Sequence, residues 1–256
     1  MYLRTFIGKK YRYIRNYLYQ PNRKAILLLG LNKSGTSVTI NLISKKADIS
    51  FFDDFPYRLG GFEKVLSGNT TLESYVKKHS YYFSKEIIRY PIQPEAIDLA
   101  RKCFEMNKYL LTIRHPANNI KSILSRLNIR GDLKNLDTSK LNIHSNWLRM
   151  LTKKENYIDS LIACWNEAYS QEELIRTQNC IIFKYEDFLK NKELYITNKV
   201  KELGLEPKFS IEEYLNTQYQ PSGTNKSNLV FFGANNYEKI KNNTNIIANK
   251  FGYQFE

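Results

Sequence analysis

Short apolar runs alternate with longer amphipathic stretches along most of this chain. Ala25–Leu29, Ile49-Ser-Phe-Phe52, Tyr109–Ile113 and Cys180–Phe183 have the length and character of strands buried on both faces of a sheet. Tyr81–Ile88 reads as a further strand, with Lys85-Glu86 inside it. Between these runs the spacing lengthens to a helical period over about 35–45, 59–67, 71–79, 94–106, 116–127, 191–204 and 236–250. A long helical region from about 142 to 177 breaks near Lys153. Pro94 followed by Glu95 opens one helix and Gly204 closes another, each residue type suited to that end. Residues 130–141 and 219–235 read as loop. Strands alternating with helices predict an α/β fold: a doubly wound parallel sheet flanked by helices, in a single domain over 25–256.

Residues 1–24 stand apart. They hold Arg4, Lys9, Lys10, Arg12, Arg15, Arg23 and Lys24 with no acid, and Leu3, Ile7, Ile14 and Leu18 share one helical face. Such a segment is either a surface anchor on anionic lipid or a helix packed on its own domain. The whole chain has 39 Lys and Arg against 25 Asp and Glu, a formal net charge of +14, which favours an anionic ligand or surface. Cys103, Cys164 and Cys180 have no metal-type spacing and read as buried free thiols. No apolar run is long enough to span a bilayer and no signal peptide is visible. The expected location is the cytoplasm, with peripheral contact at the inner membrane surface as an option. Abundant Asn, Lys, Ile and Tyr point to a bacterial source.

The first candidate chemistry follows the first apolar run. Gly30-Leu-Asn-Lys-Ser-Gly-Thr-Ser37 has the Gly-x4-Gly spacing of a P-loop and leads from strand to helix, which makes it P-loop-like. Such a loop aims backbone N–H groups and a helix N-terminus at an anion. A nucleotide-hydrolysing P-loop has Lys directly after the second Gly; here that position is Thr36, and the lysine is Lys33. The second candidate is Arg114-His-Pro-Ala-Asn-Asn-Ile-Lys-Ser122. A strand-end Arg and a hydroxyl on the next helix can converge on one phosphate.

These two motifs together resemble those of the sulfotransferases that use 3′-phosphoadenosine-5′-phosphosulfate (PAPS). Lys33, Ser34, Gly35, Thr36 and Ser37 look like their 5′-phosphosulfate loop, and Arg114 with Ser122 like their 3′-phosphate site. Gly223, Thr224, Asn225 and Lys226 resemble the loop that closes over the cofactor, and Lys85 sits where many members carry a second lysine. The Lys-Thr-His signature of the phenol-acting members is absent. Carbohydrate, tyrosyl and many bacterial members instead use a carboxylate near the end of the second strand, where this chain has Asp53 and Asp54, with Glu86 a further candidate base. The resemblance implies sulfuryl transfer from PAPS, without a metal, to a hydroxyl of a carbohydrate or glycoconjugate such as a glycan or glycolipid. Lys33 and Lys85 would offset charge on the transferring group, and a carboxylate would take the acceptor's proton. His79 and His115 read as ordinary histidines, and Trp147 and Trp165 as core. A small-molecule kinase is the nearest alternative, but it requires the lysine missing at position 36. A nucleic-acid-binding module has only the net charge in its favour, because the basic residues are scattered and match no nucleic-acid motif.

Overall fold

β1 (Ile26–Gly30) is the middle strand of a five-stranded sheet built from β2 (Phe51–Phe52), β3 (Ile87–Arg89), β4 (Tyr109–Ile113) and β5 (Cys180–Lys184). Their order is β2-β3-β1-β4-β5 and every pairing is parallel. The structure, a computed structural model, describes residues 14–53, 59–218 and 224–255. Its helices are α1 (Thr36–Ala47), α2 (Phe62–Leu66), α3 (Leu72–Lys78), α4 (Ser80–Phe83), α5 (Pro94–Cys103), α6 (Pro116–Arg126), α7 (Ser145–Leu151), α8 (Tyr157–Tyr169), α9 (Glu172–Ile175), α10 (Tyr185–Lys190), α11 (Lys192–Glu202) and α12 (Asn228–Lys250).

Side chains alternate across β1, as the two-residue period of a strand requires. Leu28 joins Ile40 and Ile43 of α1 and Ile196 and Val200 of α11 on one face. Leu27 and Leu29 join α5, α6, α8 and α12 on the other. Both faces are therefore covered, which explains the uninterrupted apolar run. The chain leaves β1 for β2 and β3 on one side, then returns past β1 to β4 and β5 on the other. The carboxyl end of β1 is thus the point where strand order reverses, and a crevice opens there in such sheets.

Two expected elements differ. Tyr81–Ile88 is not one strand: α4 occupies its first part and β3 begins only at Ile87. The helical turn puts Phe83 6.1 Å from the Tyr75 ring and wholly inside the core, so packing overrides the strand preference of Tyr81-Tyr82-Phe83. The expected loop over 219–235 gives way to helix from Asn228, broken at Gly233, whose φ of 67° and ψ of 165° are not helical. Lys184-Tyr-Glu-Asp-Phe188 ends β5 and opens the short α10.

Candidate active site

The loop after β1 is built from close backbone approaches. A Cβ on Gly30 would lie 1.9 Å from Thr112 Oγ1, so only glycine fits between β1 and β4. Thr112 Oγ1 donates to Leu29 O at 3.0 Å. Its single proton is then spent, and the 2.9 Å contact with buried Ser34 Oγ must be donated by Ser34. The Ser34 hydroxyl therefore braces the loop from beneath. Lys33 takes a left-handed φ of 69°, a conformation that costs a non-glycine residue energy and is found at functional loops. Gly35 caps α1 with a φ of 106°, and a Cβ there would sit 2.5 Å from the Tyr185 ring. Thr36 and Ser37 form the first turn of α1, which carries no acid, so its free N–H groups and positive dipole end face outward.

The Arg114 guanidinium lies 4.7 Å over the Tyr185 ring and donates from Nη1 to Lys33 O at 3.3 Å. Trp165 Nε1 donates to the Arg114 carbonyl at 3.2 Å. Glu186 fixes the turn that follows: His115 N and Asn118 Nδ2 donate to its Oε1 at 3.1 and 3.2 Å, and Tyr253 OH to its Oε2 at 2.8 Å. Arg114, Lys121, Ser122 and Ser125 line a cavity of about 590 Å³ together with Lys33, Gly35, Thr36 and Ser37. Thr224 and Asn225 reach its edge, and Phe188, Leu189 and Leu215 give it an apolar wall. Lys226 lies beside it, its carbonyl accepting from Lys121 Nζ at 3.0 Å. None of the described lining residues is acidic. Arg114 Nε and Ser125 Oγ are buried there without a hydrogen-bond partner among the described residues. Buried polar atoms are rarely left so, and these two suit a ligand that accepts.

At the carboxyl end of β3 stands Arg89. It donates from Nη1 to Ser37 Oγ at 3.2 Å and to Asp53 Oδ1 at 3.1 Å, and from Nη2 to Asn32 Oδ1 at 3.4 Å. The Arg89–Asp53 pair is largely buried, with 12% and 13% of the side chains exposed. A second cavity, about 430 Å³, opens on the other side of the Gly30–Asn32 segment. Arg89 lines it, with Phe62, Leu66, Tyr90, Ile92 and Met150 as an apolar wall and Glu63, Glu95, Asn146 and Arg149 as polar groups. Lys153 and Glu167, paired with each other, also face it.

No protein-family model matches this chain, and no curated protein matches it in sequence. In structure it matches mouse sulfotransferase SULT7A1 complexed with PAP, with a TM-score of 0.50 and 12% identity over 90% of this chain and 85% of that one. It also matches the sulfotransferase domain from the curacin biosynthetic pathway, with a TM-score of 0.50 and 12% identity over 93% of this chain and all of that domain (100%). This chain has the sulfotransferase fold.

Within that fold most of the expected site residues converge, and two do not. Lys33, Gly35, Thr36, Ser37, Arg114, Ser122, Thr224 and Asn225 share the larger cavity. Ser34 is beneath the loop, and Asp53 pairs with Arg89, which lines the smaller cavity. Asp54 and Gly223 lie outside the described residues. Lys85 and Glu86 require correction. They precede β3, whose first residue Ile87 pairs with Ile26 at the start of β1, so they sit at the amino ends of the strands, opposite the loop. Lys85 Nζ lies 4.2 Å over the Tyr81 ring, and Glu86 accepts from Ser50 N and Oγ at 2.8 and 3.0 Å. Arg89 holds the strand-end position instead. A signal for it was present: Arg89-Tyr-Pro91 repeats the strand-end pattern of Arg114-His-Pro116.

Lys33 is the most perturbed cation of the site. Burial first, and then the charges of Arg126, Arg114 and Arg89, lower its pKa from 10.5 to about 8. Burial and Arg114 push Lys121 downward as well. Like charges crowded at a cavity with no acidic residue among its described lining residues suit a polyanionic ligand. Among the described residues no group of three or more His, Cys, Asp or Glu could hold a metal ion.

Proposed function

We propose that this protein transfers a sulfuryl group from PAPS to a hydroxyl of a carbohydrate or glycoconjugate. The observation that carries the reading is the cavity, with no acid among its described lining residues, in which the α1 N-terminus, Lys33 and the Arg114–Ser122 pair converge. In this reading Lys33, Gly35, Thr36 and Ser37 hold the 5′-phosphosulfate through backbone N–H groups, hydroxyls and one ammonium. Arg114, Lys121, Ser122 and Ser125 hold the 3′-phosphate, with Thr224, Asn225 and Lys226 at the rim, and the purine lies along Phe188, Leu189 and Leu215. The sulfuryl group then points past Asn32 toward Arg89.

The acceptor enters from the smaller cavity, so the two reactants meet across the loop in line. An acceptor oxygen forms the new S–O bond as the bond to the phosphate oxygen breaks, and Asp53 takes the acceptor's proton. Arg89, aimed by Asp53, Ser37 and Asn32, and Lys33 stabilise the charge spread over the sulfuryl and bridging oxygens. An aromatic and aliphatic wall opposite amide, guanidinium and carboxylate groups supports a sugar-sized acceptor, because a sugar offers both a C–H face and hydroxyls.

Labelled PAPS incubated with glycan, glycolipid, phenol and tyrosyl-peptide acceptors tests this, in buffer without Mg²⁺. Sulfated glycan or glycolipid is the expected product. Transfer only to phenols or peptides overturns the acceptor class, and binding of Mg²⁺-ATP but not of the bisphosphate PAP overturns the donor. Asp53→Asn should lower transfer by on the order of 10²-fold with PAP affinity retained; full activity would remove Asp53 from the reaction.

A further inference from the structure

The chain ahead of β1 docks on the domain with its polar side inward. Residues 14–18 are helical. Asn16 Nδ2 donates to Lys78 O at 2.8 Å and its Oδ1 accepts from Tyr81 N at 3.3 Å, while its carbonyl accepts from Ser80 Oγ. The Arg15 guanidinium lies 3.9 Å over the Tyr81 ring and 4.8 Å over that of Tyr82. These contacts leave Ile14, Tyr17 and Leu18, one face at i, i+3 and i+4 spacing, turned to solvent with 57%, 80% and 71% exposed.

That arrangement is the reverse of a helix that serves the core. Its surroundings say what the face meets. Lys77 and Lys78, in the last turn of α3, and Lys24 are exposed. Residues 1–24 contain no acid; of the carboxylates at this end, Glu73 is paired with Arg23, Glu86 accepts from Ser50 and Glu105 from Asn107 Nδ2. Apolar side chains and a tyrosine on a helix that abuts the Lys77–Lys78 end of α3 match the boundary of an anionic bilayer, where rings and methyls enter the acyl edge and ammonium groups meet the headgroups. Asn22 N donates to Phe83 O at 2.7 Å, which ties the segment to the chain just ahead of β3, and none of these residues lines either cavity.

We propose that Ile14, Tyr17 and Leu18, with Lys24, Lys77 and Lys78, form a docking face for an anionic lipid bilayer. The face holds the protein to the membrane and leaves the candidate active site open to solution. The test is co-sedimentation of the full chain with phosphatidylcholine vesicles that contain or lack phosphatidylserine. Sedimentation should need phosphatidylserine and be reversed by salt. Ile14→Ser/Tyr17→Ser/Leu18→Ser should lower vesicle affinity at least tenfold, and Lys77→Glu/Lys78→Glu should do likewise, both with unchanged far-ultraviolet circular dichroism and PAP affinity. Absence of sedimentation with phosphatidylserine vesicles would overturn the proposal, as would sedimentation that survives both variants. So would a wild-type dimer in the ultracentrifuge that the triple variant dissolves, because the face would then be a contact between copies.

Discussion

Lys33 combines three features that rarely coincide on a surface lysine: a left-handed backbone, burial, and three arginines within electrostatic reach. Its pKa of about 8 in the free protein makes ligand binding pH-dependent. A bound phosphosulfate or bisphosphate favours the charged ammonium, so above pH 8 binding must take up a proton. PAP affinity should be flat below about pH 8 and weaken above it, by at most about tenfold per pH unit. Calorimetry across pH 7–9.5 in buffers of different ionisation enthalpy should show that uptake, and Lys33→Met should reduce it to what Lys121, whose pKa is also lowered, contributes. Folding carries the same linkage with its own sign. The folded pKa is below the unfolded one, so the cost of holding this ammonium is full below about pH 8 and is relieved as pH climbs toward 10.5. Arg89 calls for a different experiment. It touches loop, helix and carboxylate at once, and in the proposed reaction it meets charge only as the sulfuryl group transfers. Arg89→Met should lower kcat by on the order of 10²–10³-fold, the scale of one lost transition-state donor, with PAP affinity within a few-fold. An equal loss in binding and rate would make Arg89 a cofactor ligand.

At the scale of elements, the site depends on how one turn is pinned between β4 and α6. Glu186, at the start of α10, accepts from that turn and from Tyr253, just beyond α12. Burial and the Glu186 charge both raise the Tyr253 phenol's pKa, so it stays a donor at any working pH. Glu186→Ala would strand the His115 N–H and the Asn118 amide, with Tyr253 OH left Ile113 O at 3.3 Å, and should destabilise the protein by about 2–4 kcal/mol, whereas Tyr253→Phe, which leaves the carboxylate its other donors, should cost about 1 kcal/mol. Urea unfolding of both variants checks the contrast, and only the first should also weaken PAP binding, by loosening Arg114. The sequence made some of this legible and hid the rest for a physical reason. The β1 loop, Arg114 and Ser122 could be read because strand, turn residue and helix start are contiguous there. Tyr81–Arg89 could not, because three aromatic residues with strand preference form a helical turn that packs Phe83 against Tyr75. That shift moves the end of β3 to Arg89 and places Lys85 and Glu86 at the wrong end of the sheet. The Glu186–Tyr253 contact spans 67 residues, and no local pattern encodes it.

For the molecule as a whole, the net charge of +14 is less informative than its distribution. The larger cavity has cations and no described acid, while the smaller has Glu63, Glu95 and Glu167 beside Arg89, Arg149 and Lys153. The two sides of one loop therefore present different fields, one selecting a polyanion and one close to neutral. Free energy gained in the first should appear as stability of the entire fold, because both proposed phosphate subsites draw on the same sheet: the loop follows β1, Arg114 follows β4 and Tyr185 follows β5. PAP at a hundredfold excess over its Kd adds about 2.7 kcal/mol and should raise Tm by roughly 5–10 °C for a chain of this size. The shift should not need Mg²⁺, because the charge that a metal would offset is met by Lys33, Arg114 and the α1 N-terminus. Arg114→Ala should cost on the order of 2–4 kcal/mol of PAP affinity, enough to remove most of the shift at the same PAP concentration while leaving the unliganded Tm within a few degrees. A shift that appeared only with Mg²⁺, or one that Arg114→Ala left whole, would mean that the cations around the loop do not grip the bisphosphate. The P-loop-like spacing would then describe the shape of the turn and not its ligand.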